Sequence, residues 1–169
     1  TRLASWRGRV LGLLGVVLFP TCAQQPDART IELGVDVRLN GVALNYYQVD
    51  LGMMAVGEGG TVAYRIVDDD ASLQTWSVGD ANFHDVGFAA VPDGLLWFVV
   101  GSEGTIQLAR QRDAEFTWFE QDTGVTTDLH ALWVIGWNAL EARVLVVGDE
   151  VVLLGQATDV LGVFSWTSL

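Results

Sequence analysis

The chain has 169 residues, half of them apolar, with seven Trp, 19 Gly and only three Pro. That balance excludes a disordered chain and argues against a helix bundle, since many short strands joined by Gly-containing turns produce it. All nine basic residues are Arg, against 21 Asp and Glu, for a net charge of −12. Such a surface repels phosphate backbones and anionic lipid, so nucleic acid is excluded as a partner.

The first ten residues hold Arg2, Arg7 and Arg9 and no acid, and the apolar run Val10–Phe19 follows. Ten apolar residues are too few to span a bilayer, which needs about 20 in a helix. A charged start, a short apolar run and then small residues read as a signal peptide over residues 1–22. Two processing routes fit. Thr21-Cys22-Ala23 offers small residues for a cut before Gln24, whereas Phe19-Pro20-Thr21-Cys22 resembles a lipoprotein box in which Cys22 carries the lipid. Both place the folded part outside the cytoplasm, either secreted or tethered to the cell envelope. Cys22 is the only cysteine, which excludes an internal disulfide and a multi-cysteine metal site. Residues 23–37 read as a polar tether followed by an extra outer strand at 30–37.

From residue 38 the sequence repeats itself. Three apolar runs end in Val-Gly at Gly57, Gly101 and Gly148, which lie 44 and 47 residues apart. An acidic turn follows each: Glu58-Gly59-Gly60, Ser102-Glu103-Gly104 and Asp149-Glu150. Each unit closes on a Trp after Thr or Ser, at Trp76, Trp118 and Trp166. Upstream, Leu39-Asn40-Gly41-Val42, Phe83-His84-Asp85-Val86 and Leu129-His130-Ala131-Leu132 open the units. Three markers in register across three units define repeats at 38–80, 81–124 and 125–169. Within the middle unit the apolar segments and turn residues predict strands at 83–91, 94–101, 105–110 and 116–121. The continuously apolar runs Met53–Val56, Leu95–Val100 and Val144–Val147 predict strands buried on both faces. A period near 45 residues with four strands per unit is that of a propeller blade. The fold expected is all-β, a partial β-propeller of three four-stranded blades, with each closing Trp laid against a neighbouring blade. Because closed propellers have four or more blades, three blades imply a piece of a longer chain, self-association to complete a ring, or an open arc.

Leu39-Asn40-Gly41-Val42, Ala55-Val56-Gly57-Glu58-Gly59-Gly60-Thr61-Val62 and Val100-Gly101-Ser102-Glu103-Gly104-Thr105-Ile106 resemble the repeats of propellers related to photosystem II stability and assembly factors, within the BNR or Asp-box group. The resemblance covers residues 37–169. The Asp-box itself survives only in part: Asp113, Thr117 and Trp118 keep their spacing, while Gln111 and Glu115 stand where the pattern has Ser and Gly. The resemblance implies fold, and it implies that the openings of the first strands lie near a central channel, which makes Asn40, His84 and His130 the candidate binding residues. It also raises an enzymatic alternative, a degenerate sialidase-like glycosidase, since Asp-box propellers include such enzymes. That chemistry needs an arginine cluster and a nucleophile, and Arg29, Arg38, Arg65, Arg110, Arg112 and Arg143 fall mostly at non-equivalent repeat positions.

No catalytic set emerges. His84 and His130 have no third ligand in register, so no metal is assigned, and Asp68-Asp69-Asp70 lacks the spacing of a calcium loop. No cofactor motif is present. The function expected is a non-catalytic, exported binding or scaffold module for a protein or small ligand; a fragment without independent function is the remaining alternative.

Overall fold

A computed structural model describes residues 33, 35–46, 51–67, 69–135, 142–158 and 163–169. The expected signal segment, Cys22 and most of the expected tether lie outside the described residues. Leu33 and residues 35–37 carry no strand.

Twelve strands form three separate four-stranded antiparallel sheets, each built from consecutive strands. The first holds β1 (Leu39–Asn45), β2 (Gly52–Gly57), β3 (Thr61–Ile66) and β4 (Asp69–Ser77). The second holds β5 (Phe83–Val91), β6 (Gly94–Gly101), β7 (Ile106–Arg112) and β8 (Glu115–Gln121). The third holds β9 (Leu129–Ile135), β10 (Arg143–Gly148), β11 (Val151–Ala157) and β12 (Phe164–Ser168). They stack face to face as the blades of a partial propeller. The first strands lead the contacts between blades, β1 against β5 and β5 against β9.

Side chains alternate across a strand, so an unbroken apolar strand fills two cores at once. Strand β6 does this. Leu95, Trp97 and Val99 face the first blade, where they pack with Met54, Val56, Val62 and Tyr64. Leu96, Phe98 and Val100 face the third blade and pack with Leu129, Val144, Val146, Leu153 and Phe164. Each such side chain contributes about 1.5–3 kcal/mol by burial, which makes β6 the hydrophobic axis of the molecule.

The Val-Gly markers have a steric cause. A Cβ on Gly57, Gly101 or Gly148 would meet the carbonyl oxygen of Arg38, Asn82 or Asp128 at 2.2, 2.3 and 2.3 Å. Each of those oxygens lies just before the first strand of the same blade. It accepts a hydrogen bond from the residue after the glycine: Glu58, Ser102 and Asp149 respectively.

The closing Trp residues do not form one class. Trp118 and Trp166 hold equivalent places, opposite Ala109 and Gly155, on faces turned back towards the preceding blade. Trp76 lies opposite Val62 and faces forward, meeting Trp118 across the blade interface with ring centres 6.1 Å apart. The reason is the irregular register between Tyr64 and Ile66 against the nine-residue β4, which shifts the Trp relative to its sheet.

Candidate functional site

Asn40, His84 and His130 each fall at a break in the ladder between the first and second strands of their blade. Leu39 pairs with Gly57 and Gly41 with Val56, which leaves Asn40 unopposed; His84 and His130 are passed over in the same way. Such a bulge re-aims one side chain out of the alternation. The structure uses that freedom to join blades. Asn40 Nδ2 donates to the carbonyl of Phe83 at 2.8 Å, and His84 Nδ1 lies 2.8 Å from the carbonyl of Leu129. The carbonyl only accepts, so Nδ1 of His84 carries the hydrogen. Both acceptors are the first residue of the next blade.

His130 occupies the same place in the third blade and bonds to Asp149 Oδ1 at 2.8 Å through Nε2. Its ring stacks on that of His84, with centroids 5.5 Å apart and planes at 26°. Asn40 and His84 thus each tie their blade to the next, and the two histidine rings stack. Among the described residues no cluster of three or more His, Cys, Asp or Glu could hold a metal ion.

A second set of links escaped the sequence. Asn82 Oδ1 accepts the amide of Gly59, and Asp128 Oδ1 accepts the amide of Glu103, each at 3.0 Å. Both side chains sit one residue before a first strand and clasp the turn of the preceding blade. The signal was there to find, as an Asx residue immediately upstream of Phe83-His84 and of Leu129-His130. Asp85 adds a third link, since its Oδ2 accepts the amide of Leu132 at 2.9 Å while Oδ1 accepts that of Val86.

Arg110 and Arg112, the closest pair of arginines beyond residue 22, both bind Asp93 in the turn between β5 and β6. The Arg110 hydrogen bond leads in holding the Asp93 carboxyl below its ordinary value, with a smaller contribution from Arg112. Asp69 opens β4, and its Oδ1 accepts the amide of Ala71, an ordinary turn contact. Asp68 and the side chain of Asp70 lie outside the described residues.

A groove of about 660 Å³ runs along the far halves of the inner strands, lined by residues of β1, β5 and β9 together with Tyr46. Small residues, Gly87, Ala89 and Ala90, and large ones, among them Phe88, Leu132 and Trp133, line it. Tyr46 and Trp133 expose 71% and 69% of their surface, and Ile135 57%. Tyr46 meets Phe88 edge to face at 6.0 Å. A Cβ on Gly87 would meet Leu132 Cδ1 at 2.5 Å, so Leu132 packs directly over this glycine. Large rigid aromatics beside small apolar residues suit the capture of an apolar or aromatic group. Sequence reading placed the binding residues at the opening of each first strand; the groove lies towards the other end.

Comparison of the chain with family models, with curated proteins and with solved structures finds no match.

Proposed function

We propose that this chain is a non-catalytic, exported β-propeller module that recognises a protein or small ligand through the groove on its inner strands. One observation carries the reading. Tyr46 and Trp133 stand largely open to solvent at a groove otherwise lined by apolar residues, where a folded chain gains nothing by exposing them. Exposed Trp and Tyr beside apolar residues are the residue types that anchor partners. Export rests on the leader-like first 22 residues, with Cys22 as the lipid acceptor if the protein is tethered to the envelope. The arginines after residue 22 fall mostly at non-equivalent repeat positions, which supports a scaffold role over chemistry. The engagement of Asn40, His84, Arg110 and Arg112 within the fold does the same.

The test is a nuclear magnetic resonance titration with aromatic-bearing peptides and, separately, oligosaccharides. Binding is expected to move the amides of Gly87–Ala90 and Leu132–Ile135, and Trp133→Ala should weaken it by about 10- to 100-fold. Shifts confined to another surface would overturn the site. Cleavage of a glycan would restore the glycosidase alternative.

A further inference from the structure

Arginine is scarce in this chain: six lie beyond residue 22, against 21 acidic residues in all. Two of the six, Arg110 and Arg112, sit two apart on β7 and so point to one face of the second sheet. Thr117 is cross-strand from Arg110, Glu115 from Arg112 and Phe119 from Leu108, which puts all of them on that face. It is the face that meets the third blade, where Leu96, Phe98 and Leu108 are buried. At its margin Arg110, Arg112, Glu115, Thr117 and Phe119 line a crevice of about 310 Å³. The crevice shares no residue with the groove on the inner strands.

The fold uses these two guanidiniums in part. Asp93 accepts from Nη2 of Arg110 at 3.1 and 2.8 Å, and from Nη2 of Arg112. Each arginine thus commits one of its three nitrogens. Among the described residues, Nε of Arg110 is buried without an acceptor, and Nη1 of both arginines and Nε of Arg112 have none either. Glu115 lies opposite Arg112 and forms no ion pair with it. Arg112 is 59% exposed, so its unused donors meet solvent, and the exposed Thr117 and the Phe119 ring stand beside them.

We infer that this crevice binds the carboxylate of a small organic acid whose apolar or aromatic body rests on Phe119. Guanidinium N–H groups match carboxylate oxygens in both charge and geometry. Asp93 is an internal carboxylate that the pair already holds, and the unused donors are of the same kind. Charge selects the ligand further. Two cations face Asp93 and Glu115, so the site has room for one more negative charge and is poorly matched to a phosphate dianion. The volume equals about ten water-sized groups, enough for a single ring bearing a carboxylate.

Benzoate tests this, with benzamide as a neutral counterpart of the same shape, each titrated while amide chemical shifts are followed. Benzoate is expected to move the amides of Arg110–Arg112 and Thr117–Phe119 with a Kd of about 1–10 mM, the affinity open to so small a ligand. Benzamide should bind at least about 10-fold more weakly, and added salt should weaken benzoate. Arg112→Gln should cost benzoate about 10-fold with an unchanged circular dichroism spectrum, since Arg112 is exposed. Asp93→Asn keeps an acceptor oxygen for the arginines and removes the competing charge, so it should tighten benzoate about 3- to 10-fold. Equal affinity for benzoate and benzamide, shifts confined to the inner strands, weaker binding in Asp93→Asn, or indifference to either substitution would each overturn the inference. The crevice and the groove are separate surfaces, so failure here leaves the groove reading standing.

Discussion

The indole N–H of Trp97 donates to the side-chain oxygen of Gln111 at 2.7 Å, both groups buried in the core between the first two blades. Gln111 Nε2 in turn donates to the hydroxyl of Tyr64 on the first blade, at 3.1 Å, and to the carbonyl of Asp113 at 3.0 Å. One amide thus satisfies polar groups from both blades inside an otherwise apolar interface. Gln111→Ala strands the Trp97 donor and opens a void, and each effect costs about 1–3 kcal/mol. Denaturant unfolding should show a loss of about 2–4 kcal/mol for this substitution.

Two glycines with nearly the same backbone should respond differently to Ala. Gly104 and Gly124 have φ of 72° and 68°, so both substitutions incur the left-handed penalty of about 1–2 kcal/mol. A Cβ on Gly124 meets nothing within 4 Å, whereas one on Gly104 would lie 2.0 Å from the carbonyl oxygen of Val125. Gly124→Ala should stay near that penalty. Gly104→Ala should lose about 2 kcal/mol more, since the turn must pull away from the start of the third blade. Thermal unfolding of the pair measures the difference directly.

Much of this architecture was legible before any coordinates. In the middle blade, Phe83–Val91 and Gly94–Gly101 are the expected strands, because Pro92-Asp93-Gly94 and Gly101 punctuate them unambiguously. Strand β7 runs two residues further than expected, to Arg112, because Asp113 adopts φ 53° and closes a tight turn with Ala114. Non-glycine residues seldom take that conformation, so composition did not announce it. The site was harder to read. Asn40, His84 and His130 are equivalent in the sequence repeat, but their direction depends on bulges, and one extra residue in a strand leaves no mark on its hydrophobicity. The groove depends on which blade each alternate residue of β9 faces, a fact of tertiary packing. Trp76 lies against a neighbouring blade as expected, but it faces forward, because even spacing along the chain concealed a shifted register within the sheet.

The links between blades yield a rescue experiment. Asn40→Ala and His84→Ala should each cost about 1 kcal/mol, the net worth of one hydrogen bond. His84→Asn should recover much of the loss, because Asn40 makes the equivalent bond to Phe83 in the preceding blade. Zinc should not raise the melting temperature of any of these proteins. A zinc-dependent rise lost in His84→Ala would instead make the stacked histidines a metal site.

Asp93 gives a pH dependence with a defined sign. Its carboxyl titrates below the ordinary 3.8 when folded, chiefly through the hydrogen bond from Arg110. The ionised form is the one the fold favours, so its contribution is fully present above the unfolded pKa. It is lost as pH falls through the folded one. Asp93→Asn should therefore melt slightly below the native protein at neutral pH and converge with it in acid. Because the carboxyl is exposed, salt should shrink the difference.

Leu132 and Trp133 are neighbours on β9 with opposite duties: Leu132 packs over Gly87 in the core between blades, and Trp133 stands open at the groove. The most direct measurement sets the unfolding free energy of Leu132→Ala and Trp133→Ala beside their ligand affinity. Leu132→Ala should lose about 2 kcal/mol of stability. Trp133→Ala should stay within about 0.5 kcal/mol of the native protein and lose its ligand. A Trp133→Ala protein that unfolds readily, or that binds as the native chain does, would contradict the account.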